Sequence, residues 1–178
     1  MIRTPARLAA VAAVAAAALA GCQAPGTAAV VNGERVTDRE VSALVQDVRT
    51  VLGGDVTPAG ALSILAMGRA LEPLAEEYGE GISEQELLGM VNESRAIYGD
   101  PAVGPDDVSD ALYDGLRAQF WFSGLQNGTV DPDFSAAAGD ALTNVDVTVN
   151  PRYGLTGSED GEPFQPVMAE WIATPTSR

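Results

Sequence analysis

Apolar positions along the chain fall into short runs of distinct period, separated by Gly and Pro. Ala29-Val30-Val31 and Arg35-Val36 flank Asn32-Gly33, a dipeptide that favours a two-residue hairpin turn because both of its positions accept positive φ. A small β-hairpin is predicted there. Thr37-Asp38-Arg39-Glu40 follows with the spacing of a capping box, and Val36 and Val41 stand where a hydrophobic staple would form. Val41, Leu44, Val45, Val48 and Leu52 then recur at helical spacing, and the run stops at Gly53-Gly54.

A second helix is predicted from Thr57 as N-cap and Pro58 at the first helical position, where the missing N–H costs nothing. Its stripe is Ile64, Met67, Leu71, Leu74 and Tyr78, widened by Leu62 and Leu65, and Pro73 is expected to kink or split it near Ala70. Ser83 and Glu86 form another capping box with Ile82 and Leu87 as staple, opening a third helix with Leu88, Val91 and Tyr98 that ends at Gly99. After the Asp100–Pro105 loop, Asp106 and Asp107 suit a helix N-terminus. The fourth helix carries Val108, Leu112, Leu116 and Phe120 at four-residue spacing and runs to about Leu125. An Ala-rich helix around Phe134 to Leu142 leads into Val145 to Asn150, which alternates apolar and polar with period two, as a half-buried strand does. Because a lone hairpin is marginal in water, this late strand is expected to join it in one sheet. The pattern therefore predicts a mainly α protein with a small β-sheet, four to five helices plus an N-terminal hairpin joined by a late C-terminal strand. Residues 151–178 are rich in Pro and Gly, with scattered Tyr153, Phe164 and Trp171 and no period, and read as a tail.

Residues 1–21 read as an export signal, with Arg3 and Arg7 ahead of a short Ala-rich apolar run from Leu8 to Leu19. The run ends in Leu19-Ala20-Gly21-Cys22, which resembles the lipobox of bacterial lipoproteins. That resemblance implies cleavage before Cys22 and lipidation of its sulfur, with residues 22–28 as a tether and residues 29–150 as the domain. The expected location is the outer face of the cell membrane, held through the lipid on Cys22. Cys22 is the only cysteine, so no intramolecular disulfide can form.

Composition narrows the chemistry. All ten basic residues of the 178 are Arg, and neither Lys nor His occurs, which excludes imidazole acid–base catalysis, His-ligated metals and Lys Schiff bases. After residue 21 the chain carries 8 Arg against 25 acids, a net charge of -17, and such a field repels nucleic acid, whose binding rests on clustered cations. Val, Ile, Leu and Phe make up about 24% of those residues, above the roughly 20% below which a highly charged chain stays disordered. A modest core is expected, within one ordinary domain.

Val31-Asn32-Gly33 leading through Val36-Thr37 to Glu40, the turn Gly81-Ile82-Ser83-Glu84-Gln85-Glu86, and the ending Asn150-Pro151-Arg152-Tyr153-Gly154 together resemble the N-terminal chaperone domain of the SurA-like extracytoplasmic foldases, over roughly residues 29 to 154. The ending is similar to that of lipoproteins of high-GC Gram-positive bacteria that carry this domain. In SurA and PrsA-type relatives a parvulin isomerase domain interrupts the fold; here the chain has neither the length nor the His for it. The resemblance thus implies a chaperone core without the isomerase.

Phe120-Trp121-Phe122 spread over about 200° of a helix and cannot all face one core, so at least one is expected at the surface or beneath another element. With Met67 and Met90 they are the candidate walls of an apolar crevice for polypeptide, of the adaptable kind that promiscuous binders use, although packing in the core also accounts for each. Glu72, Glu76, Glu77 and Glu80 read as a solvated face. Asp131-x-Asp133 lacks the Gly and terminal Glu of a calcium loop. Asn92-Glu93-Ser94 and Asn127-Gly128-Thr129 match glycosylation sequons by coincidence. No cofactor and no metal are expected, and the partners are non-native or secreted polypeptides. The function expected is chaperone-like binding of unfolded or extended chains without catalysis. The alternatives are an envelope lipoprotein that docks one folded partner, and an enzyme, either a remnant isomerase or a carboxylate hydrolase.

Overall fold

The computed structural model describes residues 25–153. The signal at 1–21, Cys22 and most of the tail, with Phe164 and Trp171, lie outside the described residues.

Strands β1 (Thr27–Val31) and β2 (Glu34–Thr37) form the hairpin. Asn32 at φ 49° and Gly33 at φ 87° both occupy the left-handed region that the turn requires. Strand β3 (Val147–Val149) pairs antiparallel with the other edge of β1, giving the order β2-β1-β3 with Ala29 opposite both Val36 and Val149. The late strand thus joins the hairpin as its alternation predicts, although pairing is confined to three residues. β1 begins two residues inside the expected tether because Thr27 and Ala28 are fully buried and belong to the core.

Five helices follow among the described residues, and the first two pack against this sheet. Helix α1 (Asp38–Thr50) is capped as expected: Thr37 Oγ1 accepts from Glu40 N at 3.2 Å, and Glu40 Oε2 accepts from Thr37 N at 2.6 Å. Val36 and Val41 are both buried. Helix α2 (Pro58–Tyr78) is the hub, packed on by β1, β2, α1 and the last two helices of the described chain. It runs unbroken through Pro73, against the expected split near Ala70. The Pro73 ring is exposed, while Leu71 and Ala75 on either side are buried, so tertiary packing outweighs one missing backbone bond. Helix α3 (Glu84–Tyr98) has the Ser83–Glu86 capping box and ends at left-handed Gly99.

A 3-10 turn at Pro105–Asp107 replaces the expected start of the fourth helix. Helix α4 (Asp110–Asn127) instead begins after Ser109, whose hydroxyl accepts from Leu112 N at 3.3 Å while its own N–H donates to Asp47 Oδ2 at 2.9 Å. Four-residue spacing drifts about 40° per step on a helix. The stripe predicted through Val108, Leu112, Leu116 and Phe120 therefore rotates away from the core, and Ala111, Leu112, Gly115 and Ala118 face inward. Helix α5 (Pro132–Thr143) is capped by Asp131, whose Oδ1 accepts from Asp133 N at 2.8 Å and Phe134 N at 3.3 Å. The Asp-x-Asp pair is thus a helix cap.

The last described residues fold back on the first. Asn150 N donates to Ala28 O at 2.8 Å and its side-chain amide to Thr27 O at 3.1 Å; Tyr153 Oη donates to Asp38 Oδ1 at 2.9 Å, and Arg152 forms an ion pair with Asp38.

Candidate functional site

The five residues singled out as crevice walls separate in the fold. Met67 and Trp121 are core residues, which removes both from any surface a client could reach. The indole N–H of Trp121 donates to Glu80 O at 2.8 Å, and Glu80 Oε1 in turn accepts from Asp131 N at 2.7 Å, so the tryptophan ties α4 to the loop after α2. Phe122 is half-buried against the core. Phe120 is 40% exposed and Met90 44%, as the spread of Phe120-Trp121-Phe122 around a helix requires for at least one ring. Glu72 and Glu80, read from the sequence as solvated, are instead half-buried.

Trp121 closes one end of a small recess lined by Leu65, Gly68, Arg69, Glu72, Asp114 and Arg117. Helices α2 and α4 cross closely there, because a Cβ on Gly68 would stand only 3.3 Å from Ala118 Cβ. The close crossing brings charged side chains together. Arg69 Nη2 donates to Glu40 at 3.0 Å and to Asp114 at 3.2 Å, its Nη1 to Glu72 at 3.4 Å; Arg117 bonds Asp114 at 3.0 Å and Glu84 at 3.3 Å. Burial alone would lower the Arg69 pKa, but Asp114, Glu40 and Glu72 hold it above its ordinary value. Burial raises the Asp114 carboxyl above the usual range in spite of the opposing Arg69 charge. Every guanidinium here already faces carboxylates, and the recess, about 10 Å³, holds no more than one water molecule. It is a junction of four helices in which the charged side chains satisfy one another. Among the described residues no group of three or more His, Cys, Asp or Glu is placed to hold a metal ion, and no described helix is long and apolar enough to cross a membrane.

A different surface stands open. Helix α3 lies at the edge of the bundle, packed chiefly on α4, and buries only Leu87 and Val91 fully. At 100° per residue, Leu87, Leu88, Met90, Val91, Ile97 and Tyr98 together span about half of its circumference, more than one neighbouring helix covers. Ile97 is 77% exposed and Tyr98 71%. Tyr98, expected in the core stripe, thus projects from the last turn. The C-terminal half of α3 is nevertheless firmly held: Asn92 exchanges two hydrogen bonds with the backbone of Val103, at 2.8 and 3.0 Å, while Arg95 donates to Pro101 O at 2.8 Å and to Val51 O. Sequence reasoning found Met90 and missed Ile97 and Tyr98. The signal that would have found Ile97 is the width of the apolar sector, about half the circumference against the roughly 100° stripe that a helix turns to a core; Tyr98 shares the direction of the buried Leu87 and Val91 and is exposed because it stands in the last turn.

No family model, no curated protein and no solved structure matches this chain.

Proposed function

We propose that the chain is a lipid-anchored extracytoplasmic protein that binds unfolded or extended polypeptides in a chaperone-like manner. The observation that carries this reading is that α3 holds the large apolar side chains Met90, Ile97 and Tyr98 outside a closed core. Soluble domains leave such side chains exposed as single residues, whereas a cluster on one rigid helix is a ready surface for another chain. Binding would be reversible burial of client side chains against the helix, with the strongly acidic remainder of the surface keeping the complex soluble. The lipobox-like Leu19-Ala20-Gly21-Cys22 and the resemblance to the SurA-like chaperone domain support the location and the class of client.

The test is to dilute a denatured secreted protein in the presence of the chain from Gln23 onward and follow light scattering. Suppression at up to equimolar amounts is expected; full aggregation beside a protein with a well-folded circular dichroism spectrum sinks the reading. A second reading, docking of one folded partner, draws on the confinement of Met90, Ile97 and Tyr98 to a single helix. It predicts saturable one-to-one binding with no effect on scattering.

A further inference from the structure

Helix α3 also carries a charge pattern that bears on its occupant. At 100° per residue Glu86 and Glu93 lie beside Met90 and Ile97 on the solvent side of the ridge, and Asp100 follows the last turn. Glu86 and Glu93 are both exposed; Glu86 Oε2 caps the helix by accepting from Ser83 N at 3.0 Å and Ser83 Oγ at 2.6 Å, and its charge remains at the surface. On the opposite edge Arg95 is turned inward, its guanidinium donating to the carbonyls of Val51 and Pro101. The apolar ridge is therefore bordered by negative charge, with its nearest cation committed to the protein's own backbone.

This border separates the occupants that could cover the ridge. The segment 154–178 has apolar residues to offer, Phe164, Val167, Met168, Trp171 and Ile172, but it carries four acids against one Arg. A second copy of the chain brings the same acidic border and a net charge of -17 after residue 21. Anionic lipid is repelled in the same way. A polypeptide whose apolar residues are flanked by Lys or Arg meets both components at once, since its cations fall opposite Glu86, Glu93 and Asp100 as its apolar centre covers Met90, Ile97 and Tyr98.

We propose that the exposed face of α3 formed by Met90, Ile97 and Tyr98 docks an apolar polypeptide segment flanked by basic residues. This rests on the reading of the chain as a polypeptide binder and names the class of segment and the surface that takes it. The apolar ridge supplies the free energy of docking, and the acidic border selects among segments of equal hydrophobicity and speeds their encounter.

The test measures fluorescence anisotropy of two short labelled peptides with the same Leu/Phe centre, one flanked by Arg and one by Glu, titrated with the chain from Gln23 onward. The Arg-flanked peptide is expected to bind, and its affinity to fall with added NaCl. The triple variant Met90→Ser, Ile97→Ser, Tyr98→Ser is expected to weaken it by about tenfold or more, because burying even one such side chain is worth a tenfold step in affinity. Glu93→Arg is expected to weaken the Arg-flanked peptide and strengthen its Glu-flanked twin. Ile97 and Tyr98 are largely exposed and Met90 is 44% exposed, so the variants are compared under conditions where circular dichroism shows each one folded. The proposal is overturned if the triple variant binds like the parent, if both peptides bind alike, or if truncation after Tyr153 is required before any binding appears, which would give the ridge to the tail. Self-association of the parent that the triple variant abolishes would give it to a second copy. The light-scattering assay keeps the two readings apart. A triple variant that still suppresses aggregation overturns only the α3 surface, whereas a parent that binds the Arg-flanked peptide yet never suppresses aggregation overturns the unfolded-client reading alone.

Discussion

Asp38 sits at the start of α1, accepting from Tyr153 Oη and paired with Arg152, and the Arg152 contact foremost holds its carboxyl below the usual carboxylate range. Asp114 sits at the crossing of α2 and α4, where burial foremost holds its carboxyl above that range. The two therefore act on stability with opposite sign as pH falls. Asp114 takes up a proton in the folded protein while the unfolded chain is still ionised, so its contribution to stability rises between its own raised pKa and about pH 4, the ordinary aspartate value. Asp38 resists protonation in the folded protein, so the stability it supplies is present above about pH 4 and is lost as pH falls through its lowered pKa. Urea midpoints measured from pH 7 downward are expected to show Asp114→Asn flattening the limb above pH 4, and Asp38→Asn flattening the limb below it. Identical profiles for the two variants would contradict the assignment.

Among the elements, α4 depends most on what it lacks. A Cβ at Gly115 would come within 3.0 Å of Leu44 Cδ1 and 3.6 Å of Ile64 Cγ2, so α1, α2 and α4 meet over a single hydrogen atom. Gly115→Leu is expected to cost about 1–3 kcal/mol through overpacking, read as a lowered urea midpoint with the slope unchanged. Elements whose information is local were legible in the sequence. The Asn32-Gly33 turn, the boxes Thr37–Glu40 and Ser83–Glu86, and the stop at Gly99 each depend on side chains within four residues of one another. What failed depended on neighbours. The face of α4 is set by Ser109 bonding Asp47 on another helix, and the continuity of α2 through Pro73 is held by packing along its length. Of the candidate site, the aromatic triplet announced one exposed ring and could not say which, because burial of Trp121 depends on Glu80, 41 residues away. Ile97 and Tyr98 escaped attention because helical spacing alone does not count the partners available to cover it.

For the whole molecule, both ends of the described chain lie at one corner. Asp38 N donates to Gly26 O at 2.9 Å, Tyr153 reaches Asp38, and the far end of α1 carries Val51, whose carbonyl accepts from Arg95 on α3. Helix α1 has 13 residues and so spans about 20 Å. The corner at Gly26, four residues after Cys22, is thus separated by that length from the end of α1 that α3 joins. With the proposed lipid on Cys22, this arrangement would hold the sheet near the membrane and turn the Ile97–Tyr98 end outward. Cys22→Ser is expected to release the exported protein from the membrane fraction into the medium or soluble extract, while the same variant retained in full with the membrane would sink the anchor.

The pairing of β1 with β3 has a mechanical side as well. Ala29 stands opposite Val149, so the first strand enters the sheet where the last one leaves it. Tension between an anchored start and a tail gripped by something else would pull these neighbours apart sideways, one hydrogen bond at a time, as a zipper opens. A sheet loaded along its strands must break many bonds together and resists strongly; this one would yield first at the Asn150 and Tyr153 fastenings, leaving the helices to unravel afterwards.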